Sequence, residues 1–556
     1  MFDLVIKDGR IFTGAGNPWF RADLGVKNGK IAKIGSLGGS AKEVIDVGGQ
    51  AVCPGFIDLH DHSDLTILAN RDADSKVHMG VSTTVFASCG SGAAPLNEKM
   101  REDVLREAPF LKGAGVEVDW TTMEEYLARL EAGNLSINVA PLVGFGSIRE
   151  YIMGMDMRAP TKAELRAMKK EVSQAMKAGC RGITTGLRYD PQSYAATEEV
   201  IELSKVAAGY GGFYTSHIRD EGDRGDPQAA VEEIIRIGRE ADISVNISHF
   251  KVLSKRFWGL APKLVEMVEE ARAEGVQITA DQYPYSASGT GLQAWIPPWS
   301  NEGGNEELVK RLNDPGTTER IKAGLAVSME DRGGPENALI SSYPLDPKMV
   351  GQNIAQVAMK WHMDPLDASI KLLRDHLEAI LSGRVKGGFS IVNFNQKEEN
   401  VELIMRQLWV AVGTDGRVHS PGGVLRKDMP APHPRFYGTF PRVLGRYTRE
   451  RGVLHLSEAV RKMTSLPAQI LGLRDRGFIA LGSYADITVF DPETVIDRAD
   501  FTPAEATMRY PDGITHLVVN GVVTLRDGEH TGARAGVVLR SRGSRSHHIV
   551  GGLNLS

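Results

Sequence analysis

From about residue 83 to residue 249 the sequence repeats one pattern, a short run of β-branched and apolar residues followed by a segment with helical spacing. The runs are Thr83–Cys89, Ile137–Val143, Gly182–Leu187, Phe213–His217 and Ile243–His249. Between them lie helices with recognisable ends. Asp226-Pro227 supplies a cap and a proline at the first helical position, with Val231, Ile234 and Ile235 on one face. Pro262 opens another helix, with Leu264, Val265, Val268 and Ala271 at helical spacing and Gly275 as its stop. Alternation of this length implies parallel βα units. It predicts an α/β chain built as a (β/α)8 barrel of the TIM type, whose functional groups collect at the C-terminal ends of the strands.

Those strand ends carry metal-ligand side chains. Phe56, Ile57 and Leu59 form an apolar strand that runs into His60-Asp61-His62. Residues i and i+2 of a strand share a face, so His60 and His62 point into one volume. Cys89 closes the second strand, and His217 and His249 each follow a serine at the end of another. Val412-Gly413-Thr414-Asp415-Gly416 places a carboxylate at a further strand end. A thiolate with imidazoles suits zinc, and a neighbouring carboxylate can serve as a base. Cys53 and Cys180 read as small core residues.

The two ends of the chain have a different style. Asn28-Gly29 joins Leu24–Lys27 to Lys30–Ile34 in a hairpin, and Asn520-Gly521 joins Leu517–Val519 to Val522–Leu525 in another. Residues 1–54 and 480–535 are therefore expected to form one small β-sandwich domain from both termini, around a 55–479 barrel. A Gly-, Pro- and charge-rich stretch, about 293–343, is expected as an inserted lid subdomain. Residues 536–556 are expected as a solvated tail. Either Ile278–Asp281 or Phe389–Phe394 could supply the seventh barrel strand.

Net charge is −5, and only three cysteines occur. This balance favours a small-molecule partner over nucleic acid or a membrane, and a cytoplasmic setting. The N-terminus has neither a basic start nor a long apolar run. Monomer and homo-oligomer both stay open.

Taken together, the motifs resemble the amidohydrolase superfamily and, within it, the D-aminoacylase or N-acyl-D-amino-acid deacylase family. The resemblance runs from the first hairpins to about Asp527. It rests on Gly55–Asp58 leading to His60-Asp61-His62, Thr83-Thr84-Val85 leading to Cys89-Gly90, and Thr185-Gly186-Leu187 with Tyr189. It rests also on Ser216–Glu221, Ser248–Lys251, Asp281 with Tyr283-Pro284-Tyr285, Asp415-Gly416, and His433-Pro434-Arg435 before Gly438-Thr439-Phe440. The resemblance implies a metal-dependent amidohydrolase that uses zinc to cleave the amide of N-acyl-D-amino acids. It implies one tight zinc held by Cys89, His217 and His249, and a second, weaker site of His60 and His62 sharing Cys89. Asp415 would be the catalytic acid-base. Tyr189, Lys251, Tyr283 and Arg435 would bind the substrate.

Three departures touch the substrate side. Phe145 follows Gly144 where the family commonly has histidine, Gly289 stands where a serine is expected, and the span from Asp415 to Arg435 is longer than in the typical deacylase. They leave a second enzymatic reading, hydrolysis of dipeptides or other carboxylate-bearing amides. A non-catalytic scaffold should have lost ligands or the aspartate, and all these positions are occupied.

Overall fold

The computed structural model describes residues 1–38 and 40–541. Eight parallel strands form the barrel: β1 (Phe56–Asp58), β2 (Val81–Val85), β3 (Asn138–Ala140), β4 (Gly182–Gly186), β5 (Phe213–His217), β6 (Val245–Ile247), β7 (Ile278–Gln282) and β8 (Val410–Val412). The β1–β2–β3 and β4–β5–β6–β7–β8 runs are hydrogen-bonded in order. Pro141 interrupts the third strand, which resumes as Val143–Gly144 and pairs with β4. Closure between β8 and β1 falls just beyond the strands, where Asp415 N donates to His60 O at 2.8 Å and His62 N to Gly416 O at 2.9 Å.

Phe389–Phe394 does not enter the barrel. Ser390–Asn393 instead pairs antiparallel with Ser288–Thr290 and Ala338–Ser342, so Ile278–Gln282 is the seventh barrel strand. Residues between Leu292 and Ile391 pack around an apolar core of their own, including Trp295, Leu308, Ile340, Leu373 and Phe389. This excursion is longer than the Gly- and Pro-rich stretch alone suggests. Its second half contains the helices Ile354–Trp361 and Pro365–Leu381, which in sequence look like any amphipathic helix.

The outer helices start and stop where local chemistry dictates. Lys162–Ala178 opens on a capping box, in which Glu164 N donates to Thr161 Oγ1 at 3.2 Å and Thr161 N to Glu164 Oε2 at 2.7 Å. It ends at Gly179, whose φ of 109° suits glycine.

Strands from both ends of the chain share one nine-stranded sheet. Ile487–Phe490 pairs with Ala51–Pro54, which continues into Phe2–Ile11. The sheet folds over an apolar core that includes Leu4, Ile6, Leu24, Val26, Val52, Ile487 and Val518.

The expected solvated tail needs correction over 536–541. Gly536 pairs with Leu135, and Val538 with Val139. Arg540 Nη1 lies 2.6 Å from Glu124 and its Nε lies 2.8 Å from Glu131. The apolar Val537-Val538-Leu539 run lies along the third barrel strand, where Val139 N donates to Val537 O. The remainder of that expectation, 542–556, lies outside the described residues. Among the described residues no helix is long and apolar enough to cross a membrane.

Candidate metal and hydrolase site

Closing the barrel brings the strand-end ligands together. The ligand atoms of Cys89, His217 and His249 lie within 4.8 Å of one another, as do those of His60, His62 and Cys89. Cys89 Sγ is 3.4 Å from His60 Nε2, 3.7 Å from His217 Nδ1 and 3.5 Å from His249 Nε2. Ligands of a tetrahedral zinc, at about 2.3 Å for sulfur and about 2.1 Å for nitrogen, lie about 3.6 Å apart. The donor set and its spacing therefore fit zinc.

Buried carboxylates fix the imidazoles that face Cys89. Glu221 lies beside both histidines, with Oε2 3.2 Å from His217 Nε2 and Oε1 3.1 Å from His249 Nδ1, and Lys251 Nζ lies 2.7 Å from the same His249 Nδ1. Asp281 Oδ1 lies 3.2 Å from His60 Nδ1. These contacts leave His217 Nδ1, His249 Nε2 and His60 Nε2 as the atoms facing the metal position.

Electrostatics point the same way. Burial would raise the Cys89 thiol, but His60, His249 and His217 outweigh it and hold it well below the usual thiol range. Burial would lower His62, yet Asp415 and Cys89 push it up to about 9. Burial also opposes the charge on His60, which Asp281 and Cys89 nevertheless raise well above its ordinary value. A thiolate and carboxylates thus draw protons onto imidazoles, and a divalent cation displaces such protons when it binds.

Three site residues have positive φ: Cys89 at 53°, His249 at 37° and Asp415 at 48°. Such conformations cost on the order of 1–3 kcal/mol each for non-glycine residues and cluster at functional sites. Gly413 permits the final approach, since a Cβ there would lie 2.7 Å from His60 Cβ.

Asp415 lies between the imidazoles and Arg435. Its Oδ1 is 3.1 Å from His62 Nε2 and 3.6 Å from His60 Nε2, and its Oδ2 is 2.9 Å from Arg435 Nη1. Burial would raise this carboxyl, but Arg435, His249, His62 and His60 hold it well below the usual range.

A cavity of about 510 Å³ opens from the ligands and is lined by Tyr189, Lys251, Tyr283, Asp415 and Arg435. Tyr189 stands edge-on to His217 at 4.9 Å, and the Arg435 guanidinium lies 4.8 Å from the Tyr283 ring centre. Arg435 is buried, and its Nε and Nη1 make no geometrically formed hydrogen bond. Lys251 reaches the cavity already paired, with Nζ 2.6 Å from Glu221 Oε1.

Two of the three departures fall where the cavity is shaped. Phe145 packs into the main apolar core. Gly289 lines the cavity, and a Cβ there would sit 3.6 Å from Arg435 Nη2, so this chain leaves open the space a serine would fill. The long connection contributes Asp428, Met429, Ala431 and His433 to the wall.

Glu221, Asp281 and His433 carry roles that the sequence reading did not assign. His433 Nδ1 accepts from Arg435 N at 3.0 Å, and its Nε2 lies 3.1 Å from Ala287 O. The available signal for Glu221 was its place four residues after His217. Cys53 and Cys180 are buried in apolar surroundings.

Comparison with known proteins places the chain among amidohydrolases. The amidohydrolase family profile matches residues 408–525. An N-acyl-D-glutamate deacylase of Alcaligenes xylosoxydans xylosoxydans is 34% identical over 524 residues, 93% of each chain. A D-aminoacylase of the same organism is 34% identical over 97% of each chain. The solved N-acyl-D-glutamate deacylase from Bordetella bronchiseptica, complexed with zinc and a phosphonate mimic of the tetrahedral intermediate, superposes with a TM-score of 0.78. It is 33% identical, over 97% of this chain and 100% of that one.

Proposed function

Since the chain belongs to the D-aminoacylase (N-acyl-D-amino-acid deacylase) family of amidohydrolases, we propose that it is a zinc-dependent hydrolase of N-acyl-D-amino acids, releasing a carboxylate and a D-amino acid. The observation that carries this reading is the convergence of Cys89, His217 and His249 at zinc-ligand spacing beneath a cavity holding Asp415 and Arg435. Cys89, His217 and His249 would hold the tighter zinc, with His60 and His62 sharing Cys89 at a weaker second position. Bound zinc supplies Lewis-acid polarisation of an amide carbonyl and a water of near-neutral pKa.

Asp415 is the acid-base. It faces the ligand imidazoles through Oδ1, so it can take a proton from the attacking water. As the C–N bond breaks, the same carboxyl returns that proton to the amide nitrogen, which leaves as a neutral amine. Arg435 offers the substrate carboxylate the planar Nε and Nη2 edge of its guanidinium, while Nη1 lies against Asp415. Tyr189 and Tyr283, which both line the cavity, orient the substrate. Lys251 acts through its pair with Glu221 at the cavity edge.

The open space at Gly289 favours one alternative, a bulkier carboxylate-bearing amide such as a dipeptide. The net charge of −5 supports a small-molecule partner without nucleic acid or membrane, and the free cysteines support a cytoplasmic setting. The test is a product assay of the zinc-loaded enzyme on N-acetyl-D-amino acids, N-acetyl-L-amino acids and dipeptides. Release of D-amino acids is expected, and cleavage of dipeptides alone would overturn the deacylase reading.

A further inference from the structure

One charged group in the cavity has no part in the chemistry above. Arg188 follows β4, Asp223 follows β5, and Arg332 comes from the insert at the end of the helix Pro315–Asp331. All three line the cavity and are more than nine-tenths buried. Asp223 Oδ2 accepts from Arg188 Nε at 2.7 Å and also from Arg332 Nη2. Asp223 Oδ1 has no partner.

Two guanidiniums share one hydrogen-bonded carboxylate, with Asp190 and Glu221 acting on them only from farther off. Arg332 Nε is buried without a hydrogen-bond partner. Its guanidinium lies 4.9 Å from the Trp295 ring centre, a face that offers no acceptor lone pair. A buried cation with an unmet donor is costly unless an anion or water meets it. The cluster stands on the Tyr189 and Glu221 side of the cavity, adjacent in sequence to Tyr189 and two residues beyond Glu221. Arg435 has different neighbours, Asp415 and Tyr283. The site therefore presents two separate cationic groups.

Building on the deacylase reading, we propose that Arg188 and Arg332 form a second anion subsite, so that the preferred substrate is a dianionic N-acyl amino acid. Its first carboxylate meets Arg435, and its second, borne by the side chain or by the acyl group, meets the Arg188–Arg332 pair. A purely structural role, tying the insert to the barrel, would affect all substrates alike.

Steady-state kinetics on N-acetyl-D-glutamate, N-acetyl-D-glutamine, N-succinyl-D-leucine and N-acetyl-D-leucine separate these. The wild type should favour a diacid over its neutral counterpart by about tenfold or more in kcat/KM. Arg188→Met and Arg332→Met should erase that preference by raising KM for the diacid, with the neutral substrates unchanged, and Arg188→Lys should restore part of it. Preference for the glutamate derivative places the second carboxylate in the side chain, and preference for the succinyl derivative places it in the acyl group. Equal wild-type handling of diacid and neutral substrates, or equal losses on all four in the variants, would overturn the subsite. Calorimetric binding of N-acetyl-D-glutamate against N-acetyl-D-glutamine to the zinc-loaded Asp415→Asn variant reads it without turnover. Tighter diacid binding that Arg188→Met abolishes supports the subsite even if the deacylase reading fails, and equal binding contradicts it.

Discussion

Arg435 Nη1 lies 2.9 Å from Asp415 Oδ2, so the cation proposed to hold the substrate and the carboxyl proposed as acid-base are already in contact. The pair keeps Asp415 ionised and ready to accept a proton. In the proposed mechanism it also places the arginine fork beside the bond that is cleaved. Lysine keeps the charge but loses the planar two-point geometry. Arg435→Lys should lower kcat/KM for N-acyl-D-amino acids by about tenfold or more, the value of one good charge-assisted bond. The loss should be much smaller for the matching carboxamides. Equal losses on acid and amide would remove Arg435 from carboxylate recognition.

Cys89→Ala should abolish tight zinc binding while leaving the fold intact, as read by metal analysis and circular dichroism. Glu221→Gln should weaken zinc more mildly, by about 10- to 100-fold, because it disturbs how His217 and His249 are held rather than removing a ligand. Full metal content in Cys89→Ala would refute the cysteine's place in the site.

Lys76 supports the site from behind. It is fully buried, with Nζ 2.7 Å from Asp58 Oδ2, 3.1 Å from Asp61 Oδ1 and 2.8 Å from Thr414 Oγ1. It thereby joins the strand end bearing His60 to the one bearing Asp415. Lys76→Met would leave two buried carboxylates without their cation, at a cost of about 3–5 kcal/mol. Denaturant unfolding of the zinc-loaded protein measures this, and a loss under about 1 kcal/mol would show that Asp58 and Asp61 are satisfied without Lys76.

His419 gives stability an acid dependence. Burial pushes its imidazole down to about 4, and it is held neutral between Tyr437 Oη at 2.6 Å and Met429 O at 3.1 Å. The unfolded chain therefore binds a proton near pH 6.5 that the folded chain takes up only near pH 4. Stability should fall as pH drops across that window, by about 3 kcal/mol from this group, with no further loss from it below. His419→Gln should flatten that part of the profile. An unchanged difference between pH 7 and pH 4.5 would contradict the assignment.

The barrel and the side chains gathered at its mouth were legible because strand ends are where this architecture places chemistry, and histidines after Ser216 and Ser248 stand out there. The partners of those ligands were less legible. Glu221 and Asp281 look like ordinary carboxylates until the fold brings them to two imidazoles and one, respectively. Ser390–Asn393 has the composition of a barrel strand, and only its pairing with Ala338–Ser342 assigns it to the insert. Arg540 looked like part of a solvated tail because its partners, Glu124 and Glu131, lie some four hundred residues away in sequence.

The central claim is that Asp415 shuttles the proton at a zinc site that survives without it. Turnover of an N-acyl-D-amino acid by zinc-loaded Asp415→Asn tests this most directly, provided metal content and substrate binding are measured on the same preparation. Retained zinc, retained binding and a kcat lower by about 100- to 10,000-fold are expected. A near wild-type rate with zinc bound would contradict the mechanism.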